Sequence, residues 1–170
     1  MGKTTLACRI LEALGGWGAI KISPVRDADR VVASLGSHRP GSDTDLLARA
    51  GAARVVWLRA PDDRLGPAIA RAMGELADLR GAVVEGNSFA RHAPPSRTIL
   101  VARAGLDEVK DSARSLVAAA HWLVLNRPRG ADGLAPATLR GLLVRELDAA
   151  DPRDPGTIAF LTEVSAWASR

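Results

Sequence analysis

The chain has 170 residues, a formal net charge of +4, 47% hydrophobic and 25% charged residues, the makeup of a globular domain with a core of its own. A mean hydropathy of +0.03 excludes a wholly disordered chain, and no apolar run reaches the roughly 20 residues of a membrane-spanning helix. Cys8 is the single cysteine, which excludes intrachain disulfides and cysteine-rich zinc sites.

Leu6, Ile10, Leu11 and Leu14 recur at helical spacing and predict a helix over Lys3–Leu14, stopped by Gly15-Gly16. Gly18–Ile22 reads as a short strand closed by Ser23-Pro24. Residues 23–42, rich in Ser, Gly, His, Pro and charge, read as a long loop of the kind that serves function. A short helix is expected over Asp43–Ala50, with Ser42 or Asp43 as its N-cap. A strand over Arg54–Leu58, a helix over Arg64–Ala77 and a strand over Gly81–Glu85 follow. Thr98–Val101 reads as a strand, Leu106–Ala120 as a helix, and His121–Leu125 as a strand ending at Asn126. Ala137–Leu147 and Thr157–Ala168 read as helices, separated by an Asp/Pro-rich stretch. Short strands, apolar on both faces and alternating with helices, predict an α/β fold. Its mostly parallel sheet is expected to be covered by helices on both faces, in one domain over residues 1–170. Trp17, Trp57, Trp122 and Trp167 are spread across elements and read as packing residues.

The basic residues are nearly all arginine, scattered singly among acids, and aromatics make up 4%, which argues against a nucleic-acid platform. Against that background Lys3 and Lys21 stand out. The first residues, Gly2-Lys3-Thr4-Thr5, open a helix directly, as do the last positions of the phosphate loop G-x-x-x-x-G-K-[ST]. In such a loop Gly2 lets the backbone close on phosphate, and Lys3 reaches the β- and γ-phosphates. Thr4 offers its hydroxyl to Mg²⁺, and the helix opened there presents free N–H groups and a positive dipole end. Gly-Lys-Thr also occurs by chance, and a threonine-rich turn is in any case a good helix start. The phosphate-loop reading expects a strand and a Gly-rich loop of about 10–15 residues before Met1. The N-terminus shows no basic stretch followed by an apolar one, so the expected location is the cytoplasm.

Glu85 closes the run Ala82-Val83-Val84-Glu85 before Gly86. An acid at the carboxyl end of a buried strand is placed to hold a metal or order water; the alternative is a carboxylate turned to solvent. In the loop His38–Thr44, Pro40-Gly41 is a turn dipeptide and Ser42-Asp43 a helix cap, while Asp43 is also placed to join a metal's water shell. Lys21, at the end of its strand, either faces an anionic ligand or sits on the surface. His38 reads as a loop residue, since no second His or Cys stands at ligand spacing. Asn126 is either a turn former before Pro128 or an amide that reads a purine edge.

Taken in order, Gly2–Leu6 (GKTTL), Lys21–Ser23 (KIS), Pro40–Thr44 (PGSDT), Ala50–Ala52 (AGA) and Val83–Ser88 (VVEGNS) resemble the molybdopterin-guanine dinucleotide biosynthesis protein B family over roughly residues 1–90. The resemblance implies a P-loop NTPase-like domain lacking here its first strand and Gly-rich loop. It implies a GTP-binding, Mg²⁺-dependent accessory protein in molybdenum cofactor maturation, commonly a homodimer, whose partner is a cofactor-biosynthesis enzyme. Lys3 with Glu85 and Asp43 would act on the phosphates and the metal's waters, with slow GTP hydrolysis; on the reading of the residues themselves, Gly2, Lys3, Thr4, Thr5, Lys21 and Asn126 would contact nucleotide. The chain departs from the family at Asn87, where a bulky residue is usual, and over 91–170, where no feature corresponds. Glu85-Gly86 and Leu125-Asn126 also resemble dethiobiotin synthetase, a relative in the same class that uses ATP to close a ureido ring. An α/β interaction module without nucleotide is the remaining reading.

Overall fold

A computed structural model describes residues 2–23, 25, 32–35, 38–105, 111–131, 133 and 135–170. The protein is α/β, with its strands in two sheets, and it divides into two compact units, Met1–Arg9 with Pro95–Arg170, and Ile10–Pro94. The first helix, α1 (Lys3–Leu14), contributes to both.

In the unit Ile10–Pro94 the strands are β1 (Gly18–Ile22), β2 (Val32–Leu35), β3 (Val55–Arg59) and β4 (Ala82–Glu85), in the order β2-β3-β1-β4. Strands β3, β1 and β4 are parallel, and β2 runs antiparallel on the edge. The expected loop over residues 23–42 therefore contains a four-residue strand, β2, whose Val-Ala-Ser-Leu run is too short to show periodicity. The helices are α2 (Asp43–Arg49) and α3 (Leu65–Gly74), the latter entered by a 3-10 turn at Asp62–Arg64. Ile20, Ile22, Val56 and Leu58 alternate onto one sheet face and pack there with Leu65, Ile69 and Leu76 of α3 and its C-terminal extension, and with Phe89. Lys21 and Trp57, one residue out of phase, belong to the opposite face. Where β1 and β4 begin, Gly18 and Gly81 leave no room for a side chain. A Cβ at Gly81 would meet the Trp17 ring at 2.6 Å, and one at Gly18 would meet Leu76 at 2.8 Å.

In the other unit, β5 (Ile99–Arg103), β6 (Trp122–Asn126) and β7 (Arg145–Leu147) form a parallel sheet in that order. Helix α4 (Asp111–Arg114) precedes β6, and α5 (Pro155–Ala168) packs against β7. Of the helix expected over Leu106–Ala120, Asp111–Arg114 is helical among the described residues, and residues 106–110 lie outside them. The helix expected over Ala137–Leu147 is not formed. A 3-10 turn at Ala137–Leu139 ends at Gly141, whose φ of +80° breaks a right-handed helix, and the chain then enters β7. Leu100, Ala102, Leu125 and Leu139 form the core of this sheet, and Trp122 stacks edge-to-face on Phe160 of α5 at 6.0 Å. Asp154 caps α5, accepting from Thr157 N at 2.7 Å, with Pro155 in the first turn where its missing N–H costs nothing. No helix among the described residues is long and apolar enough to cross a membrane.

Candidate functional site

The sequence-chosen residues fall into two groups. In the unit Ile10–Pro94, parallel pairing of β1 with β4 sets Lys21 beside Glu85. Their side chains meet, Lys21 Nζ donating to Glu85 Oε1 at 2.7 Å. The same ammonium lies 2.6 Å from Asp43 Oδ2 at the start of α2.

Helix α2 is held in place to do this. Pro40-Gly41 turns the chain with Gly41 at φ +76°, and Ser42 caps the helix by accepting from Asp45 N at 3.3 Å. Gly41 N–H in turn donates to Asp45 Oδ2 at 2.8 Å, and this bond, with the Arg49 guanidinium 3.1 Å away, holds the Asp45 carboxyl below the usual carboxylate range. Of the two residues proposed as cap, Ser42 is the cap and Asp43 the first helical residue.

Glu85 is 7% exposed, whereas the Asp43 side chain is 47% exposed. Burial disfavours the charged form of Lys21, but the hydrogen bonds and charges of Asp43 and Glu85 outweigh it, so the lysine pKa rises above its ordinary value. Gly86, directly after Glu85, packs so closely on β1 that a Cβ there would lie 2.8 Å from the Cβ of Ile22. The Glu-Gly pair at the end of β4 thus has a steric cause, because any side chain at 86 would push the strand end off β1.

Two carboxylate oxygens converging on one cation form a hard, all-oxygen donor set that suits Mg²⁺. No group of three or more His, Cys, Asp or Glu able to hold a metal exists among the described residues. Mg²⁺ needs no such cage, since it is commonly bound by one or two carboxylates with water and phosphate oxygens completing the shell.

In the unit Met1–Arg9 with Pro95–Arg170, Gly2 adopts φ +80° directly before α1, and Leu6 N donates to Gly2 O at 2.9 Å. Lys3, Thr4 and Thr5 are the first three residues of the helix. Asn126, 5% exposed at the end of β6, lies against Gly2. A Cβ on that glycine would sit 2.3 Å from Asn126 Nδ2. The buried N–H of Ala149 donates to Asn126 Oδ1 at 2.9 Å, which fixes the amide orientation and turns its donor face toward Gly2.

Sequence reasoning missed the frame around Asn126. Asp148, at the end of β7, accepts from Arg129 N at 2.9 Å and Ala150 N at 3.0 Å, tying the turn after β6 to the turn after β7. Thr157 Oγ1 donates to Asp148 O at 2.9 Å, and Asp148 N donates to Asp154 at 3.1 Å. The only sequence signal was the cluster Asp148–Asp154, which reads as a solvated Asp/Pro loop until β7 is known to precede it.

No protein-family model, curated protein or solved structure matches this chain.

Proposed function

We propose that the chain binds a purine nucleoside triphosphate, GTP on its resemblance, and acts as an accessory protein in molybdenum cofactor maturation with slow GTP hydrolysis. The observation that carries this reading is the opening of α1. A glycine in the left-handed region sits directly before Lys-Thr-Thr, with a buried amide against it. Successive N–H groups following such a glycine make a concave donor array at the positive end of a helix, which favours phosphate oxygens. Lys3 supplies charge to the phosphates and Thr4 a hydroxyl. In their own unit, Asp43 and Glu85 would supply carboxylates to Mg²⁺, which would contribute positive charge and order water there. The protein's contribution to hydrolysis is positioning and electrostatics, with no side-chain nucleophile required.

Titration of fluorescent GTP and ATP analogues with Mg²⁺ tests the proposal, using the 170-residue chain and a form extended upstream of Met1. Saturable binding that Lys3→Ala abolishes is the expected result, with GTP preferred. Tight binding confined to ATP would move the assignment to a ligase resembling dethiobiotin synthetase. No binding by either form would leave an α/β interaction module and end the nucleotide reading.

A further inference from the structure

We propose that the Asn126 side-chain amide donates to a phosphate oxygen at the opening of α1, and does not read a purine edge. This rests on the assignment of that opening to a nucleotide's phosphates, and it adds which distant residue completes the anion site. Three observations carry it.

First, the amide is fixed with one end engaged. Asn126 is 5% exposed, and its Oδ1 accepts from the buried Ala149 N at 2.9 Å. Its Nδ2 donates to no described residue. A donor held almost wholly inside the protein, with no acceptor of its own, is set for a ligand oxygen. Second, that donor faces the helix opening. A Cβ on Gly2 would lie 2.3 Å from Nδ2, 2.8 Å from Cγ and 3.4 Å from Cβ of Asn126, so the nitrogen is the amide end nearest the glycine. Glycine keeps this approach open, and any larger residue would close it. Third, the helix opening favours negative charge. The α1 ladder begins with Leu6 N donating to Gly2 O at 2.9 Å, so the N–H groups before Leu6 point out of the helix end. The positive end of the helix dipole and Nδ2 then act on one ligand.

The chemistry of the amide agrees. An asparagine that reads adenine offers donor and acceptor together. Here the oxygen is committed to Ala149, and the nitrogen that remains matches a phosphate oxygen, which only accepts. Its place against Gly2, the residue that opens α1, sets it at the phosphates and away from the base. Base preference is then decided by other residues, and a polyphosphate carrying no base competes for the same donors.

The test is displacement of the fluorescent GTP analogue by inorganic tripolyphosphate, with Mg²⁺, for wild type and Asn126→Ala, in the 170-residue chain and in the form extended upstream of Met1. Tripolyphosphate is expected to displace the analogue from wild type. Asn126→Ala is expected to weaken tripolyphosphate and GTP by the same factor, about tenfold to a hundredfold, the range for one hydrogen bond to a charged acceptor. The variant also orphans the Ala149 N–H, so a second readout uses wild type alone and decides the matter if the variant does not fold. In a ¹H–¹⁵N spectrum an Asn126 side-chain amide proton should move downfield when tripolyphosphate is added. If tripolyphosphate fails to displace the analogue, if Asn126→Ala weakens GTP alone or neither ligand, or if the Asn126 amide signals stay in place, the phosphate assignment is overturned and the nucleotide reading survives. If the analogue binds neither form of the chain, both fall.

Discussion

Substituting Gly86 by alanine tests whether the candidate cation site depends on close contact between β1 and β4. The added Cβ would lie 2.8 Å from Ile22 Cβ, with Cγ1 at 3.5 Å and Cδ1 at 3.6 Å. Only the first of these is a collision, about 0.6 Å inside the 3.4 Å at which ordinary contact begins. It cannot be relieved by a rotamer change, because both atoms are fixed to backbone. Overpacking of this kind costs about 1–3 kcal/mol. Gly86 has no positive φ, so alanine also gains about 0.4–1 kcal/mol by restricting the unfolded chain, and the net loss should be roughly 1–2 kcal/mol.

The strand must move by several tenths of an ångström, and the end that moves carries Glu85, whose oxygen is 2.7 Å from Lys21 Nζ. Urea unfolding, followed by far-UV circular dichroism, measures the stability, and Mn²⁺ titration measures the site. Ile22→Val should add to Gly86→Ala with no coupling, because valine keeps the colliding Cβ. A Gly86→Ala protein as stable as wild type, or one rescued by Ile22→Val, would refute the packing argument. Loss of stability with unchanged Mn²⁺ binding would show that the strand end yields without carrying Glu85.

Three further outcomes follow from the same geometry. Asn126→Ala should cost about 1–3 kcal/mol in urea unfolding, because it orphans the buried N–H of Ala149. Gly141→Ala should cost roughly 1–2 kcal/mol, purely from its φ of +80°, since a Cβ there meets nothing within 4 Å; Gly141→Asn should cost less. Burial pushes the Asp154 carboxyl up, but N–H donors from Thr157 and Asp148 outweigh it, so the folded pKa lies below the ordinary 3.8. A depressed folded pKa means the unfolded chain binds the proton more readily. The stabilisation is complete above the unfolded value and disappears as pH falls through the folded one. Urea midpoints measured downward from about pH 5 should therefore fall less steeply in Asp154→Asn than in wild type.

The strands were legible wherever a run is apolar on both faces. Gly18–Ile22 coincides with β1, and the runs ending at Glu85 and Asn126 give the ends of β4 and β6, because a parallel strand buried on both sides needs no partner to be recognised. Elements whose pattern fits helix and strand alike were not. The stretch Leu142-Leu143-Val144-Arg145-Glu146-Leu147 satisfies helical spacing as well as strand character. Its fate is decided by Gly141 and by a free edge on β6, and the second of these lies outside any local window.

The same distinction separates what the sequence says about the two groups of site residues. Gly2, Lys3 and Thr4 are contiguous, so their chemistry is readable as a motif. Lys21, Asp43 and Glu85 are each ambiguous alone, a strand-end lysine, a helix-start aspartate and a strand-end glutamate, and each has a solvent-facing explanation. Parallel pairing of β1 with β4 removes that ambiguity, because equal register at the carboxyl ends places position 21 beside position 85 on one face and brings an ammonium to a buried glutamate. The charge that looked like a choice among surface options is therefore imposed by topology. For that reason losing the lysine should appear first as a loss of stability, because a buried carboxylate loses a cation partner.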